Sequence, residues 1–199
     1  PVLTECRWED GWPILGNADG KVSPVMAYPL PDSGKRTALT VSDDFSDPTL
    51  GITWQWNHNP DNTLWSLTDR KGWMRLRTGK VVDNIFDARN TLTQRTFGPK
   101  CTGSIRIDAG HLNDGDHAGL AAFCSEPGTI EVVKDGGKLF LAMTDRLQEK
   151  ERIPLKGSKV DLRMQCDFTT DTATFSYSTD KGRTWKSIGE PFHMIFNTK

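Results

Sequence analysis

Apolar and polar residues alternate along much of this chain with a period of two. Val160, Leu162, Met164 and Cys166 alternate with Asp161, Arg163 and Gln165. Ala173, Phe175 and Tyr177 alternate with Thr172, Thr174, Ser176 and Ser178, and Ile105 and Ile107 with Ser104, Arg106 and Asp108. Such alternation predicts strands that pack on one face and meet solvent or a second layer on the other. Turn-forming clusters such as Asp135-Gly136-Gly137 and Asn113-Asp114-Gly115-Asp116 separate the runs at short intervals. Only the stretch from Asp145 to Arg152 reads as a helix, short and polar. Many short strands with this punctuation predict an all-β antiparallel sandwich or jelly roll.

The first thirty or so residues have a different texture, with Trp8, Trp12, Pro13, Pro24, Pro29 and Pro31 among short strands. The run Pro29-Leu30-Pro31-Asp32-Ser33-Gly34 has linker composition, and Asp43-Asp44-Phe45 is expected to open the alternating part. A domain boundary is therefore placed near residue 35. The piece before it is too small to bury a core alone and is expected to pack on the sandwich or on a partner. The start, Pro1-Val2-Leu3-Thr4-Glu5, carries neither an initiator Met nor a signal-peptide core, which points to a chain that is processed, nicked or cut from something longer and leaves the compartment open.

One local motif is sharp. Ser178-Thr179-Asp180-Lys181-Gly182-Arg183-Thr184-Trp185 fits the Asp-box pattern of a hairpin turn. Asp180 is expected to accept from the turn's amides, Gly182 to take positive φ, and Trp185 to pack back over the turn. Cys6, Cys101, Cys124 and Cys166 are too far apart in sequence for a zinc knuckle or a vicinal redox pair. Cys166 falls on the apolar face of its strand. A buried free thiol and a cross-strand disulfide both fit, because spacing does not give the distance between sulfurs.

Composition narrows the function. The chain of 199 residues carries 25 Lys+Arg against 26 Asp+Glu, with no basic stripe interleaved with aromatics, which argues against nucleic acid as a partner. Its apolar runs are a few residues long, too short to span a membrane as a helix. Pairs of carboxylates can be drawn at will from so many acids, and Asp114, Asp116, Asp135 and Asp171 sit in turns that explain them. No Gly-x-Ser-x-Gly elbow and no Gly-rich phosphate loop occurs. His111 and His117 flank the turn at Asn113–Gly115 without completing a metal set. No catalytic constellation emerges.

Aromatic residues offer more, with seven Trp against two Tyr. Indole stacks on the C–H-rich faces of pyranose rings. In Gly51-Ile52-Thr53-Trp54-Gln55-Trp56-Asn57-His58-Asn59-Pro60-Asp61 both tryptophans share a strand face, followed by an amide-rich turn that includes His58. In Gly72-Trp73-Met74-Arg75-Leu76-Arg77, Met74 and Leu76 take the apolar face and Trp73 joins Arg75 and Arg77 on the polar one. Trp54, Trp56, Trp73 and His58 are thus candidate sugar contacts, with core packing or loop cover as the competing reading.

These residues also carry a family resemblance. Trp8-Glu9-Asp10-Gly11-Trp12-Pro13-Ile14-Leu15-Gly16 resembles the end of the catalytic propeller of glycoside hydrolase family 43. Asp43-Asp44-Phe45, Trp54 to Asp61, Asn90-Thr91-Leu92-Thr93-Gln94-Arg95 and Ala118-Gly119-Leu120-Ala121-Ala122-Phe123 resemble that family's C-terminal domain, a concanavalin-A-like antiparallel β-sandwich also classed as a xylan-binding module. The resemblance implies a propeller-blade remnant and linker over 1–34 and a sandwich over 35–199. It implies a parent that is an inverting β-xylosidase or α-L-arabinofuranosidase acting on xylan fragments. The three catalytic carboxylates would lie on a propeller of the same polypeptide, leaving this chain inactive alone. It further implies that the Asn84-Ile85-Phe86-Asp87-Ala88-Arg89 loop reaches the rim of the propeller's pocket, with Phe86, assisted by Arg95, closing the substrate site. A buried core role for Phe86 is the competing reading.

Two departures from the family pattern stand out. Relatives usually continue past the position of Lys199, so the sandwich is expected to be truncated. Related sandwiches often hold a structural calcium; Asp44, or Asp43, supplies half of such a site and its complement is missing. No cofactor is required by this reading, and a structural calcium at Asp44 is the one ion it suggests. The expected partners are the propeller and xylan or a xylooligosaccharide, in a bacterial periplasmic or secreted setting. Two rivals remain: an autonomous xylan-binding module with exposed tryptophans, and a glycosidase with an unrecognised acidic pair.

Overall fold

In the computed structural model, which describes residues 3–27, 30–34 and 40–196, the chain divides into two compact units, Pro1–Leu39 and Thr40–Lys199. The expected boundary near residue 35 falls outside the described residues. The first unit contains a hairpin of β1 (Cys6–Glu9) and β2 (Trp12–Leu15), joined by Asp10 and Gly11, both at positive φ. Trp8 and Trp12 are 71% and 74% exposed on it.

In the second unit the chain forms three two-residue strands, β3 (Gln55–Trp56), β4 (Trp65–Ser66) and β5 (Arg75–Leu76), then a single 3-10 turn at Ile85–Asp87 and β6 (Leu92–Thr93). Longer strands begin only at β7 (Lys100–Asp108), not at Asp43. Between residues 40 and 99 the backbone is shaped largely by side chains. Asp43, Asp44, Asp47 and Asp61 each accept the amide two residues ahead. Asx turns of this kind satisfy the backbone locally and leave no periodic pattern.

The sandwich follows as β8 (His117–Ala122), β9 (Gly128–Asp135), β10 (Lys138–Asp145), β11 (Gln148–Pro154), β12 (Lys159–Asp167), β13 (Thr172–Ser178) and β14 (Lys186–His193). One four-stranded antiparallel sheet has the order β11-β10-β9-β8, the other β14-β13-β12-β7. The chain therefore leaves the second sheet after β7, builds the first as a meander, and returns to lay β12 beside β7. Cores of this kind form where the apolar faces of two sheets meet. Ile130, Val132, Leu141 and Met143 project from one sheet onto Val160, Leu162, Met164, Cys166, Ala173, Phe175, Ile188 and Phe192 of the other. Each fully buried aliphatic or aromatic side chain here contributes about 2 kcal/mol.

The alternation in β12 and β13 lands as the sequence predicts, with Tyr177, Ile105 and Ile107 half-buried against the core. Two further expectations do not hold. Asp145 to Arg152 is a hairpin between β10 and β11, turned by Arg146 and Leu147 at φ 51° and 65°. Leu76 is 50% exposed instead of packed, because β5 is too short for alternation to set its faces. Gly136 and Gly137, both at positive φ, close the β9–β10 hairpin as the sequence suggests.

Candidate functional site

Two motifs distant in sequence are brought face to face. Antiparallel pairing of β3 with β6 sets Gln55 opposite Thr93 and Trp56 opposite Leu92, which places the turn after Trp56 beside the segment 84–91. Side-chain amides then cross-link them. Asp61 donates its amide to the Asn90 Oδ1 at 2.9 Å, and Asn90 Nδ2 returns a bond to the Asp61 carbonyl at 3.1 Å. The Asn57 amide donates to the Thr91 carbonyl. Asn57 Nδ2 and His58 Nε2 both donate to the carbonyl of Phe86, at 3.0 and 2.5 Å. Asn84 caps the 3-10 turn by accepting from the Asp87 amide, while its Nδ2 bonds the Asp87 carboxylate.

Phe86 is thereby held at its backbone, and its ring is half-buried, outside the sandwich core. The ring rests on Phe123, centroids 5.1 Å apart and tilted by 51°, and Phe123 is itself exposed in the turn after β8. A tilted aromatic pair of this spacing fixes ring position beyond simple burial. Arg95 is exposed and has no partner among the described residues. Sequence reasoning did not single out Asn57, Asn90 or Phe123. The asparagines recurring in both motifs were the available signal, since amide side chains satisfy backbone groups in irregular segments.

The candidate sugar contacts are placed differently from one another. Trp54 precedes β3, and its Nε1 donates to Asp43 Oδ2 at 2.8 Å with Phe45 beside the ring. Trp56 packs on Trp65 with centroids 5.3 Å apart. Trp73 lies under the Arg70 guanidinium, 4.2 Å from its ring centre, and Arg70 in turn pairs with Asp108 at 2.8 Å. All three tryptophans are half-buried. His58 is exposed, with its Nε2 committed to the Phe86 carbonyl.

Carboxylates with displaced pKa values among the described residues are all displaced downward. The Thr63 hydroxyl and amide hold Asp61 low, Ser66 and Arg77 hold Asp69 low, and Arg70 holds Asp108 low. These are turn and ion-pair carboxylates; a general acid in glycoside hydrolysis needs its pKa raised. Asp43 uses one oxygen for the Phe45 amide and the other for Trp54, and Asp44 accepts from Ser46. Among the described residues no group of three or more His, Cys, Asp and Glu side chains is arranged to hold a metal, so a calcium at Asp44 would have to draw on other oxygens. His111 is exposed, and His117 pairs with Glu131 at 3.1 Å.

The Asp-box turn forms as expected. Asp180 accepts from the Arg183 and Thr184 amides and the Thr184 hydroxyl, Gly182 has φ 79°, and Trp185 Nε1 donates to the Gly182 carbonyl. Arg163 covers the other side of Trp185 at 3.5 Å.

Comparison with known proteins places this architecture. The family described as the beta xylosidase C-terminal concanavalin A-like domain matches residues 42–198. A beta-xylosidase of Formosa agariphila is 34% identical over 98% of this chain and 37% of its own length. A putative beta-xylosidase of Xylanibacter ruminicola is 33% identical over 96% of the chain and 36% of its own length. Among solved structures, a bifunctional GH43-CE protein of Bacteroides eggerthii superposes with a TM-score of 0.81 at 40% identity, covering 98% of this chain and 26% of that one. The chain thus spans roughly a third of the curated relatives' length. With the match covering most of its length, the chain belongs to the β-xylosidase C-terminal concanavalin-A-like domain family of glycoside hydrolase family 43 proteins.

Proposed function

We propose that the chain is the non-catalytic C-terminal part of a xylan-degrading family 43 hydrolase, and that its Phe86 loop helps close the substrate pocket of a catalytic propeller in the same polypeptide. The observation that carries this reading is the Phe86 carbonyl held by two side chains, Asn57 and His58. The backbone of the loop is anchored as well as its ring, which packs on Phe123 and still remains half-exposed. A large apolar ring delivered rigidly to a pocket rim excludes water and shortens the site. The hairpin β1–β2, with Trp8 and Trp12 exposed, has the character of propeller-blade strands separated from their neighbours.

The test is made in the longer polypeptide. Phe86→Ala is expected to lower kcat/KM on an aryl β-xyloside and on xylotetraose by about ten- to a hundredfold, while the melting temperature stays near the parent value. A well-folded variant with unchanged kcat/KM sinks the reading. The rival, an autonomous sugar-binding module, needs an open indole platform, whereas Trp54, Trp56 and Trp73 are each half-buried against a partner. Titration of the 199-residue chain with xylohexaose decides between them: heat that disappears on Trp73→Ala would establish the rival.

A further inference from the structure

Three of the four thiols converge at one end of the sandwich core. Cys101, the second residue of β7, is the direct register partner of Cys166 in β12. Cys166 is buried, Cys101 is half-buried against the same core, and Cys124 enters from the turn after β8. Cys124 Sγ bonds the Glu126 carbonyl at 3.1 Å.

The register fixes the geometry of the pair. The ladder between β7 and β12 is continued one residue beyond each end, in the same register, by backbone bonds from Phe168 to Pro99 and from Ala109 to Ser158, both at 2.8 Å. Counting in twos from either end makes Cys101–Cys166 a hydrogen-bonded pair, whose Cα atoms lie about 5.5 Å apart. Disulfides span Cα separations of about 4.4–6.8 Å. Both side chains point to the same face, because paired residues of an antiparallel ladder do.

We propose that Cys101 and Cys166 form a thiol–disulfide exchange site, which reacts with a small-molecule or protein disulfide to give a cross-strand bond between β7 and β12. Cys101 is the entry point. It lies near the end of β7, an edge strand of its sheet, where fraying admits a reagent. Its thiolate attacks one sulfur of the incoming disulfide and expels the first thiol, leaving a mixed disulfide on Cys101. Cys166 then loses its proton to solvent, attacks the Cys101 sulfur and expels the second thiol. Two protein thiols and one external disulfide thus become one protein disulfide and two external thiols. Burial, with Cys101 and Cys124 adding to it, pushes the Cys166 thiol up to about 12. The second step therefore accelerates as pH rises. Side chains of a hydrogen-bonded pair diverge more than those of the alternate rung, so the bond is strained and readily reduced by thiols. This site is independent of the Phe86 reading.

The experiment exposes the folded 199-residue chain to oxidised glutathione at mildly alkaline pH, quenches with acid and maps peptides without reduction. Trypsin separates the three thiols, because Lys100 and Arg106 bound Cys101, Arg106 and Lys134 bound Cys124, and Arg163 and Lys181 bound Cys166. The expected product has lost two hydrogens, links the Cys101 and Cys166 peptides, melts several degrees higher and reverts with dithiothreitol. Cys124→Ser should form the same link, and Cys101→Ala should form none. A link through Cys124, glutathione persisting on Cys101, or oxidation that begins only in urea would each overturn the proposal; all three are read on the unmutated chain.

Discussion

His58 Nε2 lies 2.5 Å from the Phe86 carbonyl oxygen, across 28 residues of sequence. The imidazole of an exposed turn thus positions the backbone of a second loop, and Asn57 shares the same acceptor. Because a carbonyl oxygen has two lone pairs, both donors are accommodated without competition.

Removing either donor is expected to loosen the loop without unfolding the sandwich. Asn57→Ala should cost about 1 kcal/mol in urea unfolding of the chain. In the longer polypeptide, His58→Ala should lower kcat/KM by about threefold, less than Phe86→Ala, since one anchor remains. Equal effects of the two substitutions, or none, would show that the backbone anchoring does not transmit to catalysis.

Gly128 begins β9 where a Cβ would meet the Phe192 ring at 2.7 Å. Phe192 is 1% exposed and cannot retreat into solvent. Gly128→Ala should therefore destabilise the chain by about 2 kcal/mol, with Phe192→Leu in the same chain recovering part of the loss. Denaturant midpoints of the single and double variants check this directly.

Acid should attack the turns first. Hydrogen bonds from Thr184 and Ser178 hold the Asp180 carboxyl below its ordinary range. Lys100, followed by Thr169, lowers Asp167 to about 2. A depressed folded pKa gives stability that is complete above the unfolded value near 3.8 and lost as pH falls through the folded one. The melting temperature should thus fall between pH 4 and about 2, and Asp167→Asn should flatten part of that fall. A parallel slope in wild type and variant would contradict the assignment.

His117 works in the opposite direction. Its hydrogen bond to Glu131 raises its pKa above 6.5; partial burial opposes this, as does the charge of Arg152, while Glu149 adds to it. The stabilisation is therefore complete below pH 6.5 and disappears as pH rises through the raised folded value. His117→Gln should remove a decline in melting temperature that the wild type shows on the alkaline side of pH 6.5. An NMR titration of the His117 ring supplies the pKa itself.

Much of the sandwich was legible along the chain because its strands pack one face against a second layer. Val160 to Cys166 alternates since every second side chain of β12 enters the core, and the Asp-box turn is specified by contacts within eight residues. The hairpin at Arg146–Leu147 escaped because its positive-φ residues are neither Gly nor Asn, and the polar strand β11 beyond it carries no alternation. Leu76 escaped because a two-residue strand has no period to read.

By itself, then, the sequence determined the all-β class, the strand faces of β7, β12 and β13 and the family, since each is written in local periodicity or in contiguous motifs. Tertiary structure alone decided that Asn57 and His58 hold Phe86, that the tryptophans are half-buried against partners, and that Cys101 faces Cys166. The first and last of these join residues far apart in the chain, where strand register, which no local pattern encodes, sets which side chains meet. The tryptophan partners lie within a dozen residues, in irregular segments that carry no periodic pattern to read.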